Sequence, residues 1–195
     1  MRRLLVPFAV VALLVLARAY VATEGATPSG QPALEHVRSA EALRAHFNRE
    51  PRQWRVLMLL APSCWVCLKG ARVIEELLQQ RTNQPLTVLV VWQPMLITDW
   101  GRPGTGTLGR LSDQRVRQFW DADRTVAHAL KTSFAEREDG LGCCVTDGVW
   151  WDLMAVFPPG AEWTDRFPEP LLLDGTVEEV ADRFTALLDG SRALR

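Results

Sequence analysis

The chain has no marked excess of charge of either sign and few histidines. Its 195 residues include 22 Lys and Arg against 23 Asp and Glu, which gives a formal net charge of −1. Interspersed, nearly balanced charges provide no electrostatic footprint for nucleic acid, so we expect no nucleic-acid partner. The three histidines, His36, His46 and His128, show no zinc-ligand spacing with the cysteines. These shortages disfavour a zinc site and a nucleic-acid-binding surface.

The chain also lacks an uninterrupted apolar run long enough to span a bilayer. Arg2 and Arg3 precede an apolar run from Leu4 to Ala17, which is shorter than the roughly 20 residues of a spanning helix. The run ends in Ala17-Arg18-Ala19, the small-x-small pattern of a signal-peptidase site. We predict a signal peptide over residues 1–19, a polar Gly/Pro linker over 20–33 and a folded domain over 34–190.

A membrane anchor over residues 4–22 is the alternative to cleavage, and only an uncleaved segment would bring the chain to a membrane. No cysteine lies near the predicted cut, which disfavours lipid attachment. In both cases the sequence predicts an exported domain, located in a bacterial periplasm or outside the cell. Disulfides persist in these compartments.

The order of apolar segments predicts a single α/β domain. Arg55–Leu60 and Leu86–Trp92 are continuous apolar runs typical of buried strands, and a helix from Cys64 or Trp65 to about Gln80 joins them. Strands that are buried on both faces and joined by a helical crossover should pair in parallel. Four further helices are predicted: Ser39 to about Asn48, one from Ser112 or Asp113 that contains Val116, Phe119 and Trp120, Arg124–Lys131, and a last helix capped by Thr176 and Glu179. A third strand is predicted over Val149–Phe157 and an edge strand over Pro170–Leu173. Between these elements we predict a loop over Thr98–Ser112, an irregular segment over Glu136–Gly142 and a turn at Asp174-Gly175.

The pair Cys64-Trp65-Val66-Cys67 lies where the first buried strand turns into a helix. Cys64 would therefore lie beside the unpaired amide groups of a helix N-terminus, where the partial positive charge favours a thiolate. Cys67 lies one turn further along the same face, close enough to bond to Cys64 but less exposed. This arrangement suits thiol–disulfide exchange, in which one cysteine attacks and the other resolves the mixed disulfide.

With these residues the sequence resembles the thioredoxin-like superfamily. The strand RVLMLL, the segment APSCWVC, the following helix and the strand LTVLVVW match that pattern, with a longer insert before the third strand. The resemblance implies a three-layer sandwich, a central mixed sheet flanked by helices. It also implies Cys64 as nucleophile, Cys67 as resolving thiol, a Cys64–Cys67 disulfide, a protein substrate or redox partner, and no organic cofactor. Lys69 matches a basic residue that often follows the motif.

The sequence departs from this family at three places. Trp65-Val66 is neither the Gly-Pro of thioredoxin nor the Pro-His or Gly-His of oxidants and isomerases. Met58 stands where thioredoxin has a buried Asp, so that proton acceptor is missing. No proline lies between Pro103 and Pro158. If Pro158 follows the strand that faces the motif, Asp152 or Trp151 takes the position of the family's cis-proline.

Four alternatives to exchange at Cys64 and Cys67 stay open. A static staple closes only a short loop and removes little chain entropy. Zinc lacks further ligands. Copper, which prefers thiolates, would use Cys64 and Cys67, either alone or together with Cys143 or Cys144. In the fourth alternative, the domain is a redox-silent interaction module.

Two further features are candidates for function, and a third is not. Adjacent Cys143 and Cys144 are candidates for a second redox pair or a soft-metal site. Trp65 is expected to be exposed at the helix start, as part of a substrate surface. The sequence G-x-G-x-x-G at 104–109 starts too far after Trp92 for a dinucleotide fingerprint, which lies in the tight turn after a strand. Loop flexibility explains these glycines.

Overall fold

The computed structural model describes residues 34–99 and 101–193. The predicted signal peptide, the alternative anchor and the whole of the predicted linker lie outside these residues. Within this part of the chain, no helix combines the length and the apolar character needed to cross a membrane.

A six-stranded mixed sheet forms the centre of the domain. Its strands are β1 (Glu35–His36), β2 (Trp54–Leu60), β3 (Leu86–Trp92), β4 (Val116–Trp120), β7 (Leu153–Phe157) and β8 (Leu172–Gly175). They lie in the order β1-β4-β3-β2-β7-β8. Strand β2 pairs in parallel with β3 over seven residues, as predicted, and β3 pairs in parallel with β4. Strand β7 runs antiparallel to both β2 and β8. Two short strands, β5 (Val145–Thr146) and β6 (Val149–Trp150), form a separate hairpin.

Helices cover both faces of this sheet. The helices are α1 (Ala40–Asn48), α2 (Trp65–Gln80), α3 (Thr105–Leu108), α4 (Thr125–Ser133) and α5 (Val177–Ala193), with a 3-10 segment over Ala135–Cys144. Alternate side chains of β2 point to opposite faces, so Val56 and Met58 pack with α2 and α5, and Leu57 and Leu59 pack with α1 and α4. The predicted α/β sandwich, a central mixed sheet flanked by helices, is confirmed.

The helix predicted from Ser112 or Asp113 is wrong, because residues 116–120 form strand β4. Over a segment this short, the spacing of the apolar residues is compatible both with one face of a helix and with a strand. Val116 and Trp120 lie on one face of the sheet, and Phe119 lies on the other. The backbone N–H and C=O groups along the edge of β3 need hydrogen-bond partners. Residues 116–120 pair with them over five residues, and this pairing stabilises the strand. The predicted helix over Arg124–Lys131 is confirmed by α4.

The single strand predicted over Val149–Phe157 is interrupted. Residues 149–150 belong to the hairpin with β5, and residues 153–157 belong to the central sheet. Asp152, at the interruption, has φ 49°, in the left-handed region. Here the chain leaves the hairpin and enters the sheet, and this bend directs residue 152 towards the start of α2. The predicted turn at Asp174-Gly175 is also wrong, because both residues belong to β8.

Candidate active site

The two cysteines of the motif lie at the predicted junction between β2 and α2. Cys64 is the N-cap residue of α2, and its carbonyl oxygen accepts the first bond of the helix, from the N–H of Leu68 (3.0 Å). The backbone N–H of Cys67 donates to Cys64 Sγ at 3.4 Å. The N–H of Ala61 donates to Cys67 Sγ at 3.5 Å. An amide donor of the helix start therefore points at Cys64 Sγ, and an amide donor of the segment between β2 and α2 points at Cys67 Sγ.

The two sulfur atoms differ in accessibility. Cys64 is 6% exposed and Cys67 is fully buried. Both are free thiols, which is the reduced form of the pair. A substrate can reach only the sulfur of Cys64, whereas Cys67 lies behind it in the core shared with α5.

The environment separates the acidities of the two thiols. The hydrogen bond from the Cys67 thiol, followed by the backbone N–H groups of Cys67 and Val66, lowers the pKa of Cys64 to about 6, against opposing effects of burial and of Asp152. The same thiol–thiol bond, then burial and the charge of Asp152, raises the pKa of Cys67. The pair thus holds a thiolate at Cys64 and a thiol at Cys67 near neutral pH.

Asp152 contributes a buried carboxyl group to this site. The residue is 5% exposed, and its Oδ1 finds no hydrogen-bond partner among the described residues. A carboxylate oxygen of Asp152 and the sulfurs of Cys64 and Cys67 lie within 4.8 Å of one another. Burial raises the pKa of Asp152, while the backbone N–H of Val177 and the thiol of Cys67 act in the opposite direction.

The sequence had singled out position 152 only as a candidate for the family's cis-proline position. In the structure, Asp152 does face the motif. Among the described residues the one cis peptide is Gly175–Thr176, so no cis-proline lies there. Met58 is buried in β2 and pairs with Met154 of β7, which leaves its position apolar. The carboxyl group that Met58 does not provide therefore comes from the bend between β6 and β7.

The second cysteine pair lies behind Asp152 rather than beside the first pair. Cys143 is bonded to Cys144 at the end of the 3-10 segment, with Cys143 exposed and Cys144 buried. Cys144 Sγ lies 3.3 Å from the carbonyl oxygen of Asp152. A side chain on Gly175 would collide with both atoms, because its Cβ would lie 2.5 Å from that sulfur and 2.4 Å from that oxygen.

The trio of Cys64, Cys67 and Asp152 is the one cluster of three candidate metal donors found in residues 34–99 and 101–193. Cys143 and Cys144 are not part of it. In this part of the chain the structure therefore does not bring Cys143 or Cys144 together with Cys64 and Cys67.

Apolar side chains surround the mouth of the site. Trp65 is 71% exposed, and Lys69 Nζ lies 6.0 Å from the centre of its ring. Ile97 is 93% exposed on the loop after β3. Asp99 ties that loop to the motif, since its carboxylate accepts hydrogen bonds from the N–H groups of Ser63 (2.9 Å) and Leu96 (2.7 Å).

The remaining tryptophans and carboxylates behave mostly as structural residues. Trp92, Trp120, Trp150 and Trp163 are buried in the core, and Trp100 lies outside the described residues. Asp121 is buried and accepts hydrogen bonds from the N–H groups of Thr125 and Val126 at the start of α4.

No protein-family model matches the chain. A search of curated proteins likewise finds no match. Among solved structures, the thioredoxin domain of a thiol-disulfide oxidoreductase from Bacteroides vulgatus shares 12% identity over 70% of this chain and 82% of that chain, with a TM-score of 0.40. DsbF of MTB, in its mixed oxidized and reduced forms, shares 17% identity over 70% and 81%, with a TM-score of 0.36. Mycobacterium bovis AhpC shares 14% over 72% and 75%, with a TM-score of 0.33.

Proposed function

We propose that this chain is a thiol–disulfide oxidoreductase that exchanges a dithiol for a disulfide with a partner protein. The observation that carries the proposal is the asymmetry of the pair. Cys64 is slightly exposed, lies at the N-terminus of α2 and has a pKa lowered to about 6, whereas Cys67 is buried behind it. A nucleophilic thiolate at the surface and a protected thiol behind it are what a two-step exchange requires.

In the first step, the Cys64 thiolate attacks one sulfur of the substrate disulfide. The substrate S–S bond breaks, its other sulfur leaves as a thiolate, and a mixed disulfide with Cys64 forms. In the second step, Cys67 loses its proton and attacks Cys64 Sγ, so the Cys64–Cys67 disulfide forms and the second substrate sulfur leaves. Two electrons pass from the cysteine pair to the substrate. Run in reverse, the same steps oxidise a substrate dithiol, and no organic cofactor is needed.

The surface around Cys64 supports a protein rather than a small molecule as substrate. Trp65 exposes apolar area directly after the nucleophile in sequence. Leu96 and Ile97 expose more on a loop that Asp99 ties to Ser63, the residue before Cys64. An extended polypeptide can bury such side chains as it presents a disulfide to Cys64.

Reduction of insulin by the reduced chain tests this function. We expect turnover with the wild-type chain and none with Cys64→Ser. Cys67→Ser should instead accumulate a mixed disulfide with the substrate, because Cys64 can still attack but nothing resolves the product. Absence of turnover and of a trapped species, together with one copper ion bound per chain, would contradict exchange and favour the copper-binding alternative. Absence of all three would favour a redox-silent module.

We further propose that the domain acts outside the cytoplasm. The arginines and apolar run over residues 2–17 and the Ala17-Arg18-Ala19 pattern support a cleaved signal. Expression of the full chain in bacteria, followed by mass measurement of the periplasmic product, should give a chain beginning at Tyr20, or at Thr23 if the cut follows Ala22. A product of full length in the membrane fraction would support the anchor over 4–22.

A further inference from the structure

We propose that the carboxylate of Asp152 takes the proton from the Cys67 thiol when Cys67 resolves the mixed disulfide. This inference rests on the proposed exchange function and adds a residue to it. Asp152 would act on Cys67, and not on the substrate, so it is a positioning and proton-accepting residue for the resolving thiol.

The resolving step creates a specific need for such a group. In the reduced pair, the Cys67 thiol donates its hydrogen bond to the Cys64 thiolate. Once Cys64 is bonded to substrate, that thiolate no longer exists and cannot hold or accept the proton. Cys67 is fully buried, so solvent does not reach its sulfur directly. An acceptor must therefore lie inside the protein, within a few ångströms of Cys67 Sγ.

Asp152 meets this requirement by its position. Its carboxylate lies within 4.8 Å of both sulfurs, it is 5% exposed, and its Oδ1 has no hydrogen-bond partner among the described residues. A buried polar atom without a partner is costly to the fold, and such atoms concentrate where they serve function. The raised pKa of this carboxyl also brings its affinity for a proton closer to that of a thiol.

The other charged groups near Asp152 are already engaged. Glu178 forms an ion pair with Lys69 at 2.6 Å, and Glu179 accepts a hydrogen bond from the N–H of Thr176 at 3.4 Å. Both lie in the first turn of α5 and act on Asp152 only through their charge, which raises its pKa. On β2, Met58 offers no proton acceptor.

The backbone around residue 152 fixes the carboxylate in this place. Asp152 has φ 49°, the N–H of Trp151 donates to the carbonyl of Cys144 (2.9 Å), and Cys144 Sγ contacts the carbonyl of Asp152. The side chain is thereby turned away from the hairpin and towards α2.

The proposed step is balanced as follows. The proton moves from Cys67 Sγ to Asp152, and the Cys67 thiolate attacks Cys64 Sγ. The Cys64–substrate S–S bond breaks while the Cys64–Cys67 bond forms, and the substrate sulfur leaves as a thiolate. That thiolate is protonated from solvent, and Asp152 returns its proton to solvent when the oxidised pair separates from the product.

Single-turnover kinetics with Asp152→Asn separate the two chemical steps. We expect the mixed disulfide to form at least as fast as in the wild-type chain, because the negative charge of Asp152 disfavours the Cys64 thiolate. Resolution should slow by about 100-fold, in line with the loss of an internal base. Asp152→Glu should recover part of that rate. Glu179→Gln, the matched control, removes a charge near Asp152 but no proton acceptor for Cys67, so it should slow resolution far less than Asp152→Asn does.

Three results would overturn the inference while leaving the exchange function standing. These are resolution by Asp152→Asn at the wild-type rate, equal slowing of both steps, and equal slowing by Glu179→Gln. If wild-type chain shows no turnover, the proposed function itself fails.

The wild-type pH profile decides the question if Asp152→Asn does not fold. The rate of resolution should rise with pH while Asp152 loses its proton, above its ordinary pKa of 3.8, and then level off. The groups facing Asp152 are Cys64, Cys67, Glu178 and Glu179, and measurement in Glu179→Gln shows whether the profile belongs to that neighbour. A rate that keeps rising through the range where free thiols ionise, with no earlier plateau, would overturn the inference.

Discussion

Gly70 allows α2 and α5 to approach each other directly beneath the cysteine pair. A Cβ atom on residue 70 would lie 2.8 Å from Cβ of Val177, 3.1 Å from its Cγ1 and 3.3 Å from the N of Glu178. The first distance is too short for two carbon atoms, so Gly70→Ala must push the helices apart. Overpacking of this kind costs about 1–3 kcal/mol.

The higher helix propensity of Ala opposes this steric cost. A second helical glycine, Gly190, allows the propensity gain to be measured by itself and subtracted. Replacing Gly by Ala inside a helix gains up to about 1 kcal/mol. Gly190 lies in α5, and a Cβ on it would meet nothing within 4 Å. Gly190→Ala therefore gains propensity without a steric cost. We expect Gly70→Ala to be less stable than Gly190→Ala by about 1–3 kcal/mol in the free energy of unfolding.

Urea denaturation of both variants, with all thiols kept reduced, measures this difference. The midpoint should fall for Gly70→Ala and stay or rise for Gly190→Ala, at an unchanged dependence on urea. Equal stability of the two variants would refute the close packing of α2 on α5, and with it the position of Val177 beside Asp152.

Three further expectations follow from the site. The rate of Cys64 alkylation in the reduced chain should rise tenfold per pH unit below a midpoint near 6 and level off above it, because only the thiolate reacts. A midpoint near the ordinary thiol pKa of 9 would contradict the lowered pKa of Cys64. Trp65→Ala should raise KM for insulin and leave the reduction of a small disulfide unchanged. The control Leu171→Ala, which removes an exposed leucine at the far end of β8, should change neither. Equal effects of the two variants would mean that Trp65 does not contact the substrate. Cys143→Ser should keep turnover, since the second pair contacts the backbone of Asp152 and not the reacting sulfurs; loss of turnover in a folded variant would make that pair part of the exchange.

Local sequence signals predicted the elements that carry the cysteine pair. The apolar run Arg55–Leu60, the break at Pro62 and the helix that begins at Trp65 follow from residue order alone. The parallel pairing of β2 with β3 follows from burial on both faces and a helical crossover. These signals are short in range and agree with one another, so the positions of Cys64 and Cys67 at the strand–helix junction, and the deeper burial of Cys67, could be predicted.

Strand β4 and Asp152 depend on contacts that are distant in sequence. The apolar residues of segment 116–120 fit both a helix and a strand, and only the open edge of β3 decides between them. Asp152 becomes part of the site because the chain bends at a left-handed residue between a hairpin and the sheet. The absence of a proline had indicated position 152 as one that faces the motif. That absence did not indicate that the Asp152 side chain would point towards the cysteines.

Redox titration against glutathione, followed by tryptic mapping, tests the central claim most directly. Cleavage after Arg55, Lys69, Arg137 and Arg166 places Cys64 and Cys67 on one peptide and Cys143 and Cys144 on another, so the two pairs are measured separately. The account predicts that Cys64 and Cys67 convert reversibly between two thiols and one disulfide, with a single midpoint that also gives the direction of electron flow against the compartment. A pair that stays as two thiols, or as a disulfide, at every glutathione ratio would contradict it.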